Sequence, residues 1–298
     1  MNITVATRKS ALALAQCRAW IRSLKALHPE LSVTELHVTT QGDRIVDRSL
    51  SEIGGKGLFV KEIEQAILDG SADVAVHSMK DLPTELLSGL VIASVPKRED
   101  PRDAVITRRG VQLRELPAQS VVGSSSLRRK AQLLSLFPEL QVVPLRGNVD
   151  TRISKCESGI VDAVLLAQAG LNRLDKGQLT TELLQPDAFV PAIGQGALAI
   201  ECRGDDTKLR ELLASTEDRE TLLCTTSERA VMAFVSGDCR TPVAAYAERQ
   251  QDRLWLRGFL AEEDCSRGRR RELLLPWPTS QEAAVEAGTR LGQMLKDA

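Results

Sequence analysis

Four short stretches set charged or nucleophilic side chains where chemistry needs them. Gly123–Arg129 (GSSSLRR) follows a β-rich run and opens a helix, so backbone N–H groups and the hydroxyls of Ser124, Ser125 and Ser126 can converge on an anion. Arg128 and Arg129 add planar donor forks that match carboxylates. Arg146–Arg152 (RGNVDTR) repeats the plan, with an arginine at either end of a turn and helix start. Val76–Pro83 (VHSMKDLP) puts Lys80 beside Asp81 at a strand end, which suits a catalytic carboxylate with a cationic neighbour. Gly237–Pro242 (GDCRTP) holds Cys239 in a turn next to Arg240, where a thiol can be reactive.

Each stretch also has a plainer reading. GSSSLRR could be a solvated, serine-capped helix start, and Lys80–Asp81 an exposed pair on a turn. Two arginine loops in one domain favour a polyanionic ligand over either loop alone. His77 reads as structural. Gly54–Gly57 (GGKG) lacks the upstream glycine and the Ser/Thr of a phosphate loop, and Gly194–Ala199 (GQGALA) precedes a strand instead of following one. Arg267–Arg271 (RGRRR) lies between two expected strands and reads as a solvated hairpin tip.

The elements that must carry these residues alternate. Strands are expected at Ile3–Ala6, Ser32–Thr39, Asp73–His77 and Leu90–Val95, with helices from Ser10 to Leu27 and over Lys56–Asp69. The alternation continues with strand Ser120–Val122, helix Ser126–Phe137, strand Gln141–Leu145, helix Val149–Glu157 and strand Asp162–Leu166. It predicts mainly parallel sheets with crossover helices, whose strand carboxyl ends gather ligands. Pro96–Pro101 and Pro186–Gly196 are proline-bounded breaks enclosing about one domain. After an apolar run at Ala197–Glu201, a long helix over Asp218–Val235 starts a different region. It has strands Val243–Tyr246, Leu254–Leu260 and Glu272–Leu275 and a terminal helix from Ser280.

The 298 residues suffice for two or three cores, and 43% hydrophobic with 27% charged is ordinary for a globular protein. A net charge of −1 and 3% aromatics argue against a general nucleic-acid or membrane-surface binder. The start of the chain lacks the plan of a signal peptide, so a cytoplasmic location is expected. Six cysteines and three histidines are scattered without zinc-site spacing, so no metal is expected and the cysteines read as free thiols, mostly buried.

Taken in order, ATRKSALALAQ, TTQGD, GGKGLFVKEIE, ADVAVHSMKDLP, KREDPRDA, GSSSLRR, LRGNVDTR, DAVLLAQAGLNRL, PAIGQGALAIECR and GDCRTPVAAYA resemble the porphobilinogen deaminase (hydroxymethylbilane synthase) family nearly end to end. The resemblance implies an enzyme of tetrapyrrole and heme synthesis, a transferase that joins four porphobilinogen molecules head to tail. Ammonia leaves at each addition, and hydrolysis finally releases hydroxymethylbilane. It also implies a dipyrromethane cofactor in thioether linkage to Cys239, and Asp81 as the catalytic aspartate. Lys80, Ser126, Arg128, Arg129, Arg146, Asp43 and Ser78 would hold the cofactor. Arg8, Ser10, Arg152, Arg173, Gln195, Lys56 and Phe59 would meet the substrate. Acetate and propionate groups on every pyrrole explain the demand for cations.

The family's fold implies three α/β domains. Domains 1 and 2 would resemble type II periplasmic binding proteins, and domain 3 would be a smaller open-faced α/β sheet. The bounds would be 1–96 with 197–215, then 97–196, then 216–298. Lys56 and Phe59 would lie in a mobile loop able to shield the reaction from water. A monomer is expected, with porphobilinogen as partner and neither nucleic acid nor membrane. Asp238 and Ala244 stand where the family often has glycine, Ser124 where threonine is common, and Glu52 where a base is frequent. A solute-binding protein of the same cleft fold is the competing possibility, but it would need neither Asp81 beside Lys80 nor a third domain with an exposed cysteine.

Overall fold

Ser10 interrupts the first strand and starts the first helix, as its type and place imply. β1 (Asn2–Arg8) ends just before it, and its Oγ accepts the Ala13 N–H at 3.3 Å to cap α1 (Ala11–Leu27). The computed structural model describes residues 1–44, 60–235 and 241–297. β2 (Ser32–Val38) pairs parallel with β1, and a short turn, α2 (Gln41–Arg44), follows. α3 (Lys61–Leu68) then leads into β3 (Val74–Ser78), also parallel to β1, and β4 (Leu90–Ser94) closes this half.

The next segment contains β5 (Asp103–Thr107), β6 (Val121–Gly123), α4 (Leu127–Leu136), β7 (Gln141–Val143), α5 (Val149–Glu157), β8 (Ala163–Ala167), α6 (Gln168–Arg173) and β9 (Glu182–Leu184). The chain then returns as β10 (Leu198–Arg203), α7 (Thr207–Ala214) and α8 (Arg219–Val235). A last block of β11 (Val243–Gln250), β12 (Arg253–Leu260), β13 (Arg269–Pro276) and α9 (Gln281–Lys296) completes it. The expected architecture of two α/β domains plus a smaller sheet is what these elements form.

Two five-stranded sheets, β2-β1-β3-β10-β4 and β7-β6-β8-β5-β9, share one strand order, second-first-third-inserted-fourth. The inserted strand in each is the one that follows a crossover, and it runs antiparallel to both neighbours. The sheets are therefore mixed, which corrects the expectation of mainly parallel pairing. A strand entering from a crossover has no helix to carry it back to the starting edge, so it runs the other way. β5 and the three-residue β9 were not foreseen.

Antiparallel insertion has a positional result. The first residue of β5, Asp103, pairs with Ala167 at the end of β8. It thus lies on the carboxyl edge of the parallel strands, where the arginine loops start. In the same way Leu198 of β10 pairs with Ser78.

Contacts divide the chain into two compact units, Met1–Glu99 with Gly196–Leu222, and Asp100–Gln195 with Leu223–Ala298. In the first unit, Ile3, Val5, Val74 and Ile200 pack on Trp20 and Leu24 from one face of the sheet. Ala6 and Ala75 meet Ile63 and Ile67 on the other, the two-residue alternation of a covered sheet. The Glu99 N–H donates to the Gly196 carbonyl at 3.3 Å, bringing the two crossovers together in this unit.

The second unit buries Val105, Val122, Leu133, Leu165 and Phe189 on one face of its five-stranded sheet and Ala104, Ile106, Ile153 and Val164 on the other. Its three-stranded sheet packs Ala245, Ala247, Leu254 and Leu256 on Leu291 and Leu295 of α9. Ala244, Tyr246 and Phe259 meet Ala131 and Val190. Glu228, buried on α8, accepts the Gly194 N–H at 2.7 Å and the Ala247 N–H at 2.9 Å, so one carboxylate holds both the returning crossover and β11.

The arginine run proves to be strand more than hairpin tip. Arg269, Arg270 and Arg271 belong to β13, and only Arg267, at φ 51°, sits in the connection. Arg270 lies 5.8 Å from the Phe259 ring centroid and donates to the Asp187 carbonyl at 3.2 Å. Pairing with β12 draws these residues into the sheet, and the guanidinium covers Phe259. Cys17, Cys156, Cys202, Cys224 and Cys265 are free and buried, as expected.

Candidate active site

In the first unit the site residues collect at the carboxyl ends of β1 and β3. His77 turns inward, its Nε2 2.9 Å from Glu201 Oε2, and both side chains are buried. It is structural, as its sequence context suggested. Burial, with the charge of Glu201, pushes the nearby Glu64 carboxyl above its ordinary range. Ser78 exchanges hydrogen bonds with the Gln16 side chain on α1, at 2.7 and 3.1 Å.

Met79–Asp81 forms one 3-10 turn. Met79 and Leu82 are buried on either side of it, and the Met79 N–H donates to the Ala197 carbonyl at 3.0 Å. These anchors leave Lys80 and Asp81 exposed at the end of β3. Arg8, half-buried, is the last residue of β1, and Ser10 beside it is occupied in capping α1. The Asp81 carboxylate thus rests on a short turn held by two core side chains.

In the second unit Ser126 caps α4, accepting the Arg129 N–H at 3.4 Å. Ser124 Oγ accepts the Ser126 N–H at 3.3 Å, while Ser125 donates to the Leu145 carbonyl at 2.9 Å. The loop is therefore built on its own hydroxyls before any ligand arrives. Arg128 and Arg129 are both buried against Asp103, which is wholly enclosed. Burial alone would raise the Asp103 carboxyl, but the two guanidiniums outweigh it and hold it well below the usual carboxylate range. Burial also lowers Arg129, aided by the charge of Arg128 and opposed by that of Asp103.

The second arginine loop starts as expected, with Asn148 capping α5 through the Thr151 N–H at 2.9 Å. Arg152 Nε donates to the Gly147 carbonyl at 2.8 Å. Burial and the charges of Arg129 and Arg146 push the Arg152 guanidinium down to about 10. The charges of Arg129 and Arg146 thus reach Arg152 from two strand–helix loops, an arrangement that a bound anion would relieve. Arg173, half-buried, ends α6. Gln195 is fully buried and donates to the Pro101 carbonyl at 2.7 Å.

Lys56, Phe59 and Cys239 lie outside the described residues, as does the side chain of Asp43. Two residues were missed in the sequence. Asp103 lies just past the Pro96–Pro101 break and was not singled out, although an acid opening the apolar strand DAVIT calls for a buried cation. Gln16 falls within the helix expected from Ser10 to Leu27 without being singled out, and only the packing of α1 on β3 shows it gripping Ser78. Among the described residues no group of His, Cys, Asp and Glu could hold a metal ion. No helix there is long and apolar enough to cross a membrane.

Comparison with known proteins agrees with this arrangement. A family model described as porphobilinogen deaminase, dipyromethane cofactor binding domain, matches residues 3–211, and its C-terminal domain model matches residues 222–297. A porphobilinogen deaminase of Sorangium cellulosum is 56% identical over 295 residues, spanning 99% of this chain and 98% of that protein. One of Nitrosomonas europaea is 47% identical over 295 residues, spanning 99% and 94%. Among solved structures, the methionine-binding protein MetQ superposes with a TM-score of 0.42 at 13% identity, covering 72% of this chain and 89% of that one, too slight a likeness to argue from. With both domain models matched in order and relatives aligned nearly end to end, the chain belongs to the porphobilinogen deaminase family.

Proposed function

We propose that the chain is a transferase that condenses four porphobilinogen molecules, with loss of ammonia, onto a dipyrromethane carried by Cys239, and then releases hydroxymethylbilane by hydrolysis. The observation that supports this most is the gathering of Arg128, Arg129 and Arg152 at two strand–helix loop starts, where burial and the charges of Arg129 and Arg146 depress the Arg152 guanidinium, because a cationic set of this kind suits a ligand bearing several carboxylates. The donor chemistry thus fits the acetate and propionate groups of dipyrromethane. Lys80, Ser126, Arg128, Arg129 and Arg146 would hold it, with Asp43 and Ser78. When bound, it supplies the nucleophilic pyrrole carbon on which the chain is extended.

The chain's own residues do the rest. Arg8, Arg152 and Arg173 bind the carboxylates of incoming porphobilinogen, and Lys56 and Phe59 contribute with them. Asp81 accepts hydrogen bonds from pyrrole N–H groups and offsets the positive charge that grows as ammonia leaves. It can also take part in moving protons. Ser10 and Gln195 serve chiefly by ordering backbone, since the first caps α1 and the second bridges to Pro101.

A monomer in the cytoplasm is part of the same proposal, and the net charge of −1 accords with a protein that does not bind nucleic acid. Three domains, with bounds 1–96 plus 197–215, 97–196 and 216–298, are the accompanying proposal for its organisation. Intact-protein mass spectrometry tests the cofactor assignment. The purified chain should carry a dipyrromethane adduct that is lost in Cys239→Ser, and an unmodified chain active on porphobilinogen would overturn it.

A further inference from the structure

We propose that Asp103 is a positioning residue for carboxylate recognition, one that acts through Arg128 and Arg129 and fixes both the aim and the net charge of the pair. The inference rests on the proposed role of those two arginines in binding pyrrole carboxylates.

Asp103 Oδ2 accepts from Arg128 Nη1 at 2.7 Å, and Oδ1 accepts from Arg128 Nη2 at 3.0 Å and from Arg129 Nε at 2.8 Å, with Arg129 Nη2 in ion-pair contact at 2.7 Å. The remaining inward bonds run from Arg128 Nη1 to the Val190 carbonyl at 2.8 Å and from Arg129 Nη1 to the Leu165 carbonyl at 2.7 Å. The Val190 backbone is itself held from both sides by the Gln132 amide, at 2.8 and 2.9 Å. A guanidinium has five N–H donors. Three are committed inward in Arg128 and two in Arg129, whose Nη2 also meets Asp103 as an ion pair, so both guanidiniums have little freedom in where they point.

Two consecutive arginines on one buried helix turn repel each other and are costly to desolvate. A single carboxylate between them makes that arrangement tenable and leaves one net positive charge instead of two. The site therefore attracts an anion without being neutralised by its own support. Among the described strands of this sheet only β5 starts on the carboxyl edge, and it starts with Asp103.

Such a residue should act first on the tethered pyrroles, whose carboxylates Arg128 and Arg129 are proposed to hold. Among folded chains, Asp103→Asn should lower the fraction carrying the dipyrromethane adduct, read by intact mass, by about tenfold or more. A merely structural aspartate would leave that fraction unchanged among folded chains, and that result overturns the proposal. If Asp103→Asn does not fold, the comparison moves to Arg129→Gln, which already removes one buried cation. There, adding Asp103→Asn must still lower the adduct fraction, because Arg128 loses its fork, and an unchanged fraction again overturns it. Arg128→Gln alone separates the two levels. If that variant binds and elongates normally, the arginine site itself is wrong; if it fails while Asp103→Asn binds normally, only the role of Asp103 is wrong.

Discussion

Arg128 and Asp103 meet fork to fork, at 2.7 and 3.0 Å, with side chains only 6% and 0% exposed. Breaking such a buried pair by removing one partner typically costs about 3–5 kcal/mol, because the other charge is left uncompensated. The Asp103 carboxyl is held below its ordinary range, whereas an unfolded aspartate titrates near 3.9. Its stabilising contribution is therefore complete above about pH 5 and is lost as pH falls through the lower, folded value. Urea denaturation should show the largest gap between wild type and Asp103→Asn at neutral pH, narrowing below about pH 4.

Arg152 should trade stability for binding. Its guanidinium is depressed by burial and by Arg129 and Arg146, so Arg152→Gln relieves repulsion in the ligand-free protein. Thermal melts should show no loss of stability, and a gain of about 0.5–1 kcal/mol is expected. Affinity for porphobilinogen should fall about tenfold in the same variant, the worth of roughly one charge-assisted hydrogen bond.

Asp81 should show the opposite separation. It is exposed on a turn whose anchors are Met79 and Leu82, so Asp81→Ala should keep its stability within about 0.5 kcal/mol. Ammonia release should nevertheless fall by at least about 100-fold, the scale of losing one preorganised electrostatic group. Near-normal release from the folded variant would remove Asp81 from the chemistry.

Glu228 carries a purely mechanical prediction. Its carboxylate takes the Gly194 and Ala247 N–H groups inside the core, and Glu228→Ala leaves both donors buried without it. Equilibrium unfolding should register a loss of roughly 2–4 kcal/mol. Glu228→Gln, which keeps one acceptor oxygen, should lose less.

What could be read in the sequence was local. Ser10, Ser126 and Ser280 announced helix starts because capping needs only neighbours within three residues, and all three accept the anticipated backbone N–H. The arginine loops and Lys80–Asp81 were legible for the same reason, as strand ends meeting turns. The direction of β5 and β10 was not, because it depends on a crossover and on the sheet each strand joins. That direction is what brings Asp103 under Arg128 and Arg129, so a residue 25 positions away from its partner escaped notice. Gln16 escaped likewise, its bond to Ser78 spanning 62 positions.

The hydrogen bond from Glu99 to Gly196 makes the first unit something simpler than two separate stretches of chain. β4 and β10 are antiparallel neighbours, so with residues 100–195 cut out and the neck rejoined they would be the two arms of a β-hairpin. The whole second five-stranded sheet is spliced into the loop of that hairpin, with its entry and exit already clasped. Loop closure grows only slowly in cost with length, about 0.6 kcal/mol for each doubling, so a cassette of that size strains the host sheet little. A gene encoding Met1–Glu99 joined by a short turn to Gly196–Leu222 would be the way to ask whether the host sheet folds on its own.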